Sequence, residues 1–364
     1  MGQPVNVGVV GCGAISAQYF RTIDRLPQLR LVAVADLDLD RAREAVGPYA
    51  GVDVLSVAEL VADPRVDVVL NLTVPAAHAE VALRAIAAGK DVYCEKPLAA
   101  TAADAARVLG AAADARVRVG CAPDTVLGTG TQTARKAIDD GLIGRPIAAT
   151  ATMTTPGHER WHPNPDFYYV PGGGPLLDMG PYYITSLVTL LGPVASVIGA
   201  ASRTRAKRTI GSGPRQGEEI PVTVDTHVTG VLVHASGALS TLVMSFDGTA
   251  TKAPNIEVHG EAGSLVVPDP NRFDGQVLIS TGKDGWIDLP ESAGYAEAGR
   301  GVGLADFAAT PAGEEPRAGG ALAFHVLDVM ESLLAAARSG TSVAITSTCE
   351  RPLPVALRPS DQPD

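Results

Sequence analysis

The sequence predicts an α/β protein of two domains: the first contains a doubly wound parallel sheet, and the second is an α/β domain with a large, open, mainly antiparallel sheet. Three observations lead to this prediction. Apolar strands alternate with helices through the first third of the chain, and short strands separated by turn residues follow from about residue 194 to 280. The length of 364 residues also suits two domains of roughly 150 residues or more.

The first domain is predicted to span residues 1–122. Its strands are continuously apolar and separated by helices, which is typical of a parallel sheet covered on both faces. Gly89 stands where a helix C-cap is expected. The predicted strands are 5–10, 29–35, 66–74, 91–94 and 117–121, and the predicted helices begin near 15, 76 and 102.

The second domain is predicted to span residues 123–346, followed by a proline-rich tail over 347–364. Residues 281–320 are rich in glycine and proline, so a long excursion without regular structure is expected there. The predicted helices of this domain are 131–140, 175–191 and 321–337, and the predicted strands are 222–234, 239–246, 256–259 and 265–267.

The composition excludes several classes of function. The net charge is −11, whereas a protein that binds nucleic acid or an acidic membrane needs a basic face. The four cysteines are scattered without a CxxC pair, which indicates reduced thiols and no cysteine zinc site. The N-terminal residues have no basic, apolar leader pattern. We therefore expect a cytoplasmic enzyme with a small-molecule substrate, and no nucleic-acid or membrane partner.

The hexapeptide Gly11–Ser16 (GCGAIS) joins the first strand to the first helix in the manner of a Rossmann dinucleotide-binding turn. Ser16 replaces the third glycine, at a position that needs a small residue. Asp36 ends the second strand, where an acidic residue would bind ribose hydroxyls and repel the extra phosphate of NADP. NAD is therefore favoured over NADP, and the alternative is a tight turn with no ligand. The predicted pyrophosphate contacts are Gly11, Gly13, Ala14 and Ile15.

Glu95-Lys96-Pro97 follows the strand predicted at 91–94. Ligands of doubly wound sheets bind at the carboxyl ends of the strands, so an ammonium here can stabilise a developing alkoxide. Taken alone, a lysine at a strand end is more often a solvated terminus.

Four features together resemble one family: the glycine turn, Pro75 with His78, Glu95-Lys96-Pro97, and the segment Gly172–Gly180 (GGGPLLDMG). The chain is similar to the Gfo/Idh/MocA oxidoreductases, which include glucose-fructose oxidoreductase and inositol dehydrogenase. The resemblance implies a Rossmann domain followed by an α/β domain whose open sheet makes oligomer contacts, and hence a homodimer or homotetramer.

The same resemblance implies roles for single residues. Lys96 would be the catalytic lysine, and Asp178 the aspartate of the substrate site. The remaining cofactor contacts would be Asp36, Thr73, Pro75, His78, Glu95 and Lys96.

Tyr182 stands four residues after Asp178, where many sugar and polyol dehydrogenases of the family have histidine. On a helix the two residues share a face. An unperturbed phenol has a pKa of about 10, and a nearby ammonium would lower it. Two assignments stay open: Tyr182 carries the proton while Lys96 acts electrostatically, or Lys96 is itself the base.

Residues 158–162 (HERWH) match the HExxH zinc-protease motif, which requires both histidines on one helical face. Flanking prolines leave little room for a helix, so we expect no metal there. We expect instead a loop that binds sugar, in which Trp161 stacks on a ring while Arg160 and His162 donate to hydroxyls. Simple packing of this loop is the alternative. Asp124, just after the last predicted strand of the first domain, is a further predicted substrate contact.

The sequence therefore predicts an NAD-dependent oxidoreductase that transfers a hydride between nicotinamide and a secondary alcohol or ketone of a sugar, polyol or glycoside. The alternatives are a non-catalytic NAD(P)-binding regulator of the same fold, and a zinc hydrolase acting through residues 158–162.

Overall fold

The computed structural model describes residues 3–311 and 313–361. These residues form two compact units whose chain segments interleave. The first unit takes the chain up to Thr129, Ala293–Phe324 and the chain from Pro352 onward. The second unit takes Gly130–Ser292 and His325–Arg351.

The first unit contains a six-stranded sheet in the order β3-β2-β1-β4-β5-β6, and every pair within it is parallel. The strand order reverses between β1 and β4, which is the switch point at which doubly wound sheets bind ligands. This confirms the predicted Rossmann sheet. The strands are β1 Val5–Val10, β2 Leu29–Ala35, β3 Asp53–Leu55, β4 Val68–Asn71, β5 Asp91–Cys94 and β6 Val119–Cys121.

Five helices connect these strands. Two of them, α2 and α3, were not predicted because they have only 8 and 6 residues. Both begin at a clear cap: the Asp38 side chain accepts the amide of Asp40, and Ser56 forms a capping box with Glu59. The helices are α1 Ser16–Arg25, α2 Leu39–Val46, α3 Val57–Ala62, α4 Pro75–Ala87 and α5 Ala102–Ala115.

The second unit contains a nine-stranded sheet in the order β16-β15-β14-β13-β7-β12-β11-β8-β18. Its neighbours are antiparallel except β7 and β12, which confirms the predicted mainly antiparallel sheet. Strands β9 and β10 form a separate hairpin. The strands are β7 Pro146–Thr154, β8 Val194–Ser202, β9 Lys207–Thr209, β10 Glu219–Pro221, β11 His227–His234, β12 Leu239–Ser245, β13 Ile256–Gly260, β14 Ser264–Val267, β15 Val277–Ser280, β16 Ile287–Leu289 and β18 Val343–Ala344.

Helix α6 (Thr129–Asp139) leads into this unit, and α7 (Pro175–Leu191) packs on β7, β11 and β12. The bounds of α7 agree with the prediction. Pro175 occupies its first turn, where a missing N–H costs nothing, and nearly all of its later residues are buried. The apolar faces of α7 and the sheet therefore form the core of the second unit.

The chain returns to the first unit through β17 (Tyr295–Ala296) and α8 (Val302–Ala309), and later through β19 (Arg358–Pro359), which pairs with β17. The sequence predicted instead an uninterrupted second domain over 123–346 and no regular structure over 281–320. The difference arises from hydrogen bonds between residues far apart in the sequence, which join this segment to the first unit. The guanidinium of Arg118 donates to the carbonyls of Phe307 and Thr310, and the amide of Cys121 donates to that of Ala318.

Helix α9 (Gly320–Ser339) is long and apolar enough to cross a membrane by length and composition alone. However, 56% of its most apolar stretch is buried within the protein, as in the core helices of globular proteins.

Candidate active site

The turn after β1 has the geometry that a dinucleotide requires. Gly11 has a φ of 102°, and a Cβ there would lie 2.7 Å from the carbonyl of Leu72. At Gly13, by contrast, no described atom lies within 4 Å of such a Cβ. Gly13 and Ala14 are exposed and Ile15 is half-buried, and no side chain caps the N-terminus of α1. The open backbone at a helix N-terminus therefore fits a pyrophosphate.

Asp36 lies beside this turn, at the end of β2. Its carboxylate accepts the amides of Cys12 at 2.7 Å and Asp38 at 2.9 Å, and the guanidinium of Arg41 contacts both carboxylate oxygens. Burial opposes ionisation of this group, but the hydrogen bonds from Arg41 and the two amides outweigh it, so the pKa of Asp36 lies below its ordinary value. Asp36 is therefore an anion held in a fixed position beside the glycine turn.

Glu95 and Lys96 lie after β5 and differ in accessibility. The Glu95 side chain is buried, accepting the hydroxyl of Tyr19 at 2.7 Å and the amide of Lys96 at 2.9 Å. Lys96 is half-buried. Glu95 therefore anchors the backbone from which the Lys96 ammonium extends, and the structure gives its carboxylate a positioning task.

His78 joins two loops at this edge of the sheet. It is fully buried, with Nδ1 2.6 Å from the carbonyl of Pro97 and Nε2 2.9 Å from that of Thr73. Burial is the largest influence and lowers the pKa of His78. The carbonyls of Pro97 and Thr73 act in the opposite direction, because they favour a ring that donates from both nitrogens. The side chain thus holds the loop after β4 against the Lys96-Pro97 loop, while Thr73 and Pro75 stay accessible.

Asp124 has a structural task in the first unit. It is fully buried, and its Oδ2 accepts the amides of Gly301 at 2.8 Å and Gly303 at 3.1 Å at the start of α8. Burial raises the pKa of Asp124. This environment gives no support to the prediction that Asp124 contacts substrate, because its side chain is closed to solvent.

In the second unit, α7 begins directly after three glycines, and Asp178 lies in its first turn. Gly173 packs so closely that a Cβ would lie 2.7 Å from the Tyr168 carbonyl. The chain therefore turns sharply into α7. His158 approaches from the preceding loop, and its Nε2 lies 3.0 Å from Oδ2 of Asp178.

Tyr182 lies one turn after Asp178 on α7 and is 5% exposed. The neighbouring Tyr183 points into the sheet, where its hydroxyl accepts the amide of Asn255 at 2.7 Å. The predicted pairing of Asp178 and Tyr182 on one helical face therefore agrees with the observed helix.

The HExxH segment forms only a single 3₁₀ turn, His158–Arg160. Glu159 is buried in an ion pair with Arg208 at 2.9 Å, and it also accepts the hydroxyl of Tyr169. The guanidinium of Arg208 further contacts Asp247. The helix that places two histidines on one metal is not formed, and Glu159 is committed to its ion pair. Across the described ranges, no group of three histidine, cysteine or acidic residues is placed to hold a metal.

The three predicted sugar-binding residues follow Glu159 along the chain. Trp161 is 60% exposed, Arg160 is exposed and His162 is half-buried. The rings of Trp161 and Phe167 each contact that of His162 edge to face, with centroids 5.4 Å apart, and Phe167 is also largely exposed. An open aromatic surface therefore lies on the loop that precedes α7.

Three residues with clear contacts were missed in the sequence. Arg41 is five positions after Asp36 on a helix that was not predicted. The HExxH pattern suggests only a zinc-ligand role for His158. Arg208 pairs with a residue 49 positions away. The proximity of Arg41 to Asp36 was the one local signal that could have been used.

Two family models match the chain. One, described as an oxidoreductase family with an NAD-binding Rossmann fold, matches residues 5–122, and the other, the GFO/IDH/MocA C-terminal domain, matches residues 131–266. A 1,5-anhydro-D-fructose reductase of Ensifer adhaerens is 32% identical over 266 residues, which cover 71% of this chain and 74% of that protein. The chain belongs to the Gfo/Idh/MocA oxidoreductase family. The predicted family, enzyme class and NAD cofactor are thereby confirmed.

One further relative and two solved structures are similar to this chain. An inositol 2-dehydrogenase of Rhizobium meliloti is 28% identical over 286 residues, covering 79% of this chain and 81% of that protein. An NAD-binding oxidoreductase of Klebsiella pneumoniae superposes with a TM-score of 0.82 at 24% identity, and levoglucosan dehydrogenase with NADH and L-sorbose with 0.80 at 22%. These alignments cover 95% of this chain and 100% of each neighbour, and they show the shared fold.

Proposed function

We propose that this oxidoreductase interconverts a secondary alcohol and a ketone on a sugar or polyol, using NAD. The observation that carries the proposal is the open glycine turn beside a fixed Asp36 anion, in a chain of this family. When bound, NAD would supply the hydride acceptor for oxidation and the hydride donor for reduction. The backbone amides of Gly13, Ala14 and Ile15 would hold the pyrophosphate, and Asp36 would accept the ribose hydroxyls.

Lys96 is proposed to stabilise negative charge on the reacting oxygen. Its backbone is fixed through Glu95 and through the His78–Pro97 contact, so the ammonium extends from a rigid base. A pre-positioned cation gains most where charge develops, because no reorganisation is then needed during the reaction.

Asp178 and Tyr182 are proposed to bind the substrate hydroxyls from α7, one turn apart. Both belong to a buried helix of the second unit, which limits their motion. Arg160, Trp161 and His162 would bind the remainder of the sugar, with the exposed indole lying against the apolar face of a ring.

The substrate class is supported by the relatives, whose names specify 1,5-anhydro-D-fructose and inositol. The exposed aromatic and cationic side chains of the loop before α7 are also chemically suited to a polyhydroxylated ring. We further propose a cytoplasmic homodimer or homotetramer, which light scattering of the purified protein would test.

The test of the substrate class is a screen of cyclic polyols, aldoses, anhydrosugars and glycosides, monitored by NADH formation or consumption. We expect turnover with at least one of these compounds, and a higher kcat/KM with NAD than with NADP. If NADH binds tightly but no polyhydroxylated compound reacts in either direction, the proposed substrate class is wrong.

A further inference from the structure

The proposed function uses Asp178 of the second unit but not the histidine that is paired with it. Nε2 of His158 lies 3.0 Å from Oδ2 of Asp178, although the two residues are 20 positions apart in the chain. A carboxylate can only accept, so Nε2 carries the hydrogen of this bond. In the neutral imidazole the remaining nitrogen, Nδ1, is then the basic one.

Aromatic rings surround this imidazole. The ring centroids of Phe246, Tyr168 and Trp161 lie 4.4, 4.7 and 5.3 Å from that of His158. The side chains of His158 and Asp178 keep exposures of 12% and 18%. The pair is therefore sheltered from bulk water but still accessible, as a group that exchanges a proton with a small substrate must be.

The charged groups around His158 have separate partners. On its own loop, Glu159 is paired with Arg208, which also contacts Asp247 next to Phe246. Of the other titratable groups of the loop, Asp166 pairs with Arg215, Tyr169 donates to Glu159, and Arg160 is exposed. The ring of Tyr168 packs on that of His158, and burial lowers the pKa of His162. From α7 the facing group is Asp178. Glu159 is thus unavailable as a base, whereas His158 is held by one carboxylate, and within residues 3–311 and 313–361 no hydrogen bond to its Nδ1 is seen.

We propose that His158 is the proton carrier of the reaction, with Asp178 orienting its ring and stabilising the imidazolium. This inference rests on the proposed function. During oxidation the C–H bond of the carbinol breaks and its electron pair leaves as hydride to nicotinamide. The O–H bond breaks, its proton passes to Nδ1 of His158, and its electron pair forms the C=O bond. Reduction reverses each transfer.

The proposal places the proton on a loop residue and leaves Tyr182 and Lys96 with binding and electrostatic tasks. It therefore differs from both assignments that the sequence left open. The difference is measurable because removal of the His158 imidazole should alter turnover and its pH dependence, whereas both earlier assignments place the proton on Tyr182 or Lys96.

The decisive variant is His158→Gln, because the glutamine amide can still donate to Asp178 while it cannot carry a proton. With a substrate from the screen, we expect kcat to fall by about 10²- to 10⁴-fold and the acidic limb of the kcat/KM profile to disappear. NADH affinity, measured by fluorescence titration, should stay within about twofold. His158→Ala should regain part of its turnover when free imidazole is added.

His259→Gln is the matched control, because His259 lies on β13 and bonds Ser264 within the second unit. It should keep both the rate and the pH profile. The inference is overturned if kcat falls less than threefold in His158→Gln. It is also overturned if His158→Gln keeps the acidic limb and imidazole does not restore turnover to His158→Ala. In either case the oxidoreductase function stands. Absence of turnover in the unmodified protein overturns the proposed function instead.

Discussion

The two units hold their functional residues by different physical means. In the first unit the cofactor-binding features are largely backbone: a glycine with positive φ, open amides at a helix N-terminus, and a carboxylate fixed by two nearby amides. In the second unit the features are side-chain pairs across long sequence separations, His158 with Asp178 and Glu159 with Arg208. Local chemistry thus specifies one site and tertiary packing specifies the other.

The largest effect expected in the first unit is that of Lys96→Met. Removal of a pre-positioned cation should reduce kcat by about a thousandfold, because charge on the reacting oxygen loses its partner. NADH binding should persist, since the backbone cradle is unchanged. Lys252→Met, at an exposed position, serves as the control. Retained turnover in Lys96→Met would remove the proposed electrostatic role from the first unit.

The corresponding test of the second unit is Arg208→Met, measured by urea denaturation. The variant leaves Glu159 and Asp247 without their buried cation, and breaking such a pair typically costs about 3–5 kcal/mol of unfolding free energy. The adjacent Lys207→Met, which breaks an exposed pair with Glu219, should shift the midpoint far less. Equal shifts for the two variants would show that long-range pairing does not dominate this unit.

A third test concerns cofactor choice. Asp36→Ser removes charge-assisted hydrogen bonds to ribose worth about 1.5–3 kcal/mol, so the Kd for NADH should rise by about 10- to 100-fold. NADPH should bind better, because Arg41 is released from Asp36 and can meet the added phosphate. The double variant Asp36→Ser/Arg41→Ala should lose that gain. Unchanged discrimination between NADH and NADPH would place Asp36 away from the ribose.

The smallest effect is a difference in pH dependence between two carboxylates of the first unit. The pKa of Asp36 is lowered, so its stabilisation is present at neutral pH and is lost as pH falls through that lowered value. Burial raises the pKa of Asp124, so its ionised form costs stability above that raised value, and acidification relieves the cost.

Thermal melts of Asp36→Asn and Asp124→Asn between pH 3 and 8 measure this difference. Asp36→Asn should melt below the unmodified protein at pH 7 and converge with it under acid. Asp124→Asn should melt at or above it at pH 8, with the gap closing on acidification. Parallel curves for both variants would contradict the opposite environments of the two groups.

Sequence reasoning predicted most of the first unit because its strands, helices and glycine turn are marked by local patterns, although many of its contacts are long in range. The glycine turn, Asp36 and the strand end at Lys96 are visible as local patterns, and the bounds of α7 follow from Pro175 and a long apolar run. Helix α8 was missed because its place depends on Asp124, whose partners lie 177 and 179 positions away.

The second part of the site was only partly predictable for the same reason. Asp178 and Tyr182 are separated by one helical turn, so their shared face can be inferred. The partner of His158 cannot, since nothing local distinguishes Asp178 from other acids. The HExxH pattern was informative in another sense: its flanking prolines indicated a non-helical segment, which the single 3₁₀ turn confirms.

The interleaved course of the chain constrains how the protein can be dissected. A cut after Thr129 would yield a fragment without the carbonyls to which Arg118 donates and without the amides that donate to Asp124. Such a fragment would expose apolar residues that α8 covers, such as Tyr93 beneath Phe307, so we expect it to be insoluble or quickly degraded. Replacing residues 130–292 with a short linker that joins Thr129 directly to Ala293–Phe324 would be the route to an autonomous nucleotide-binding module.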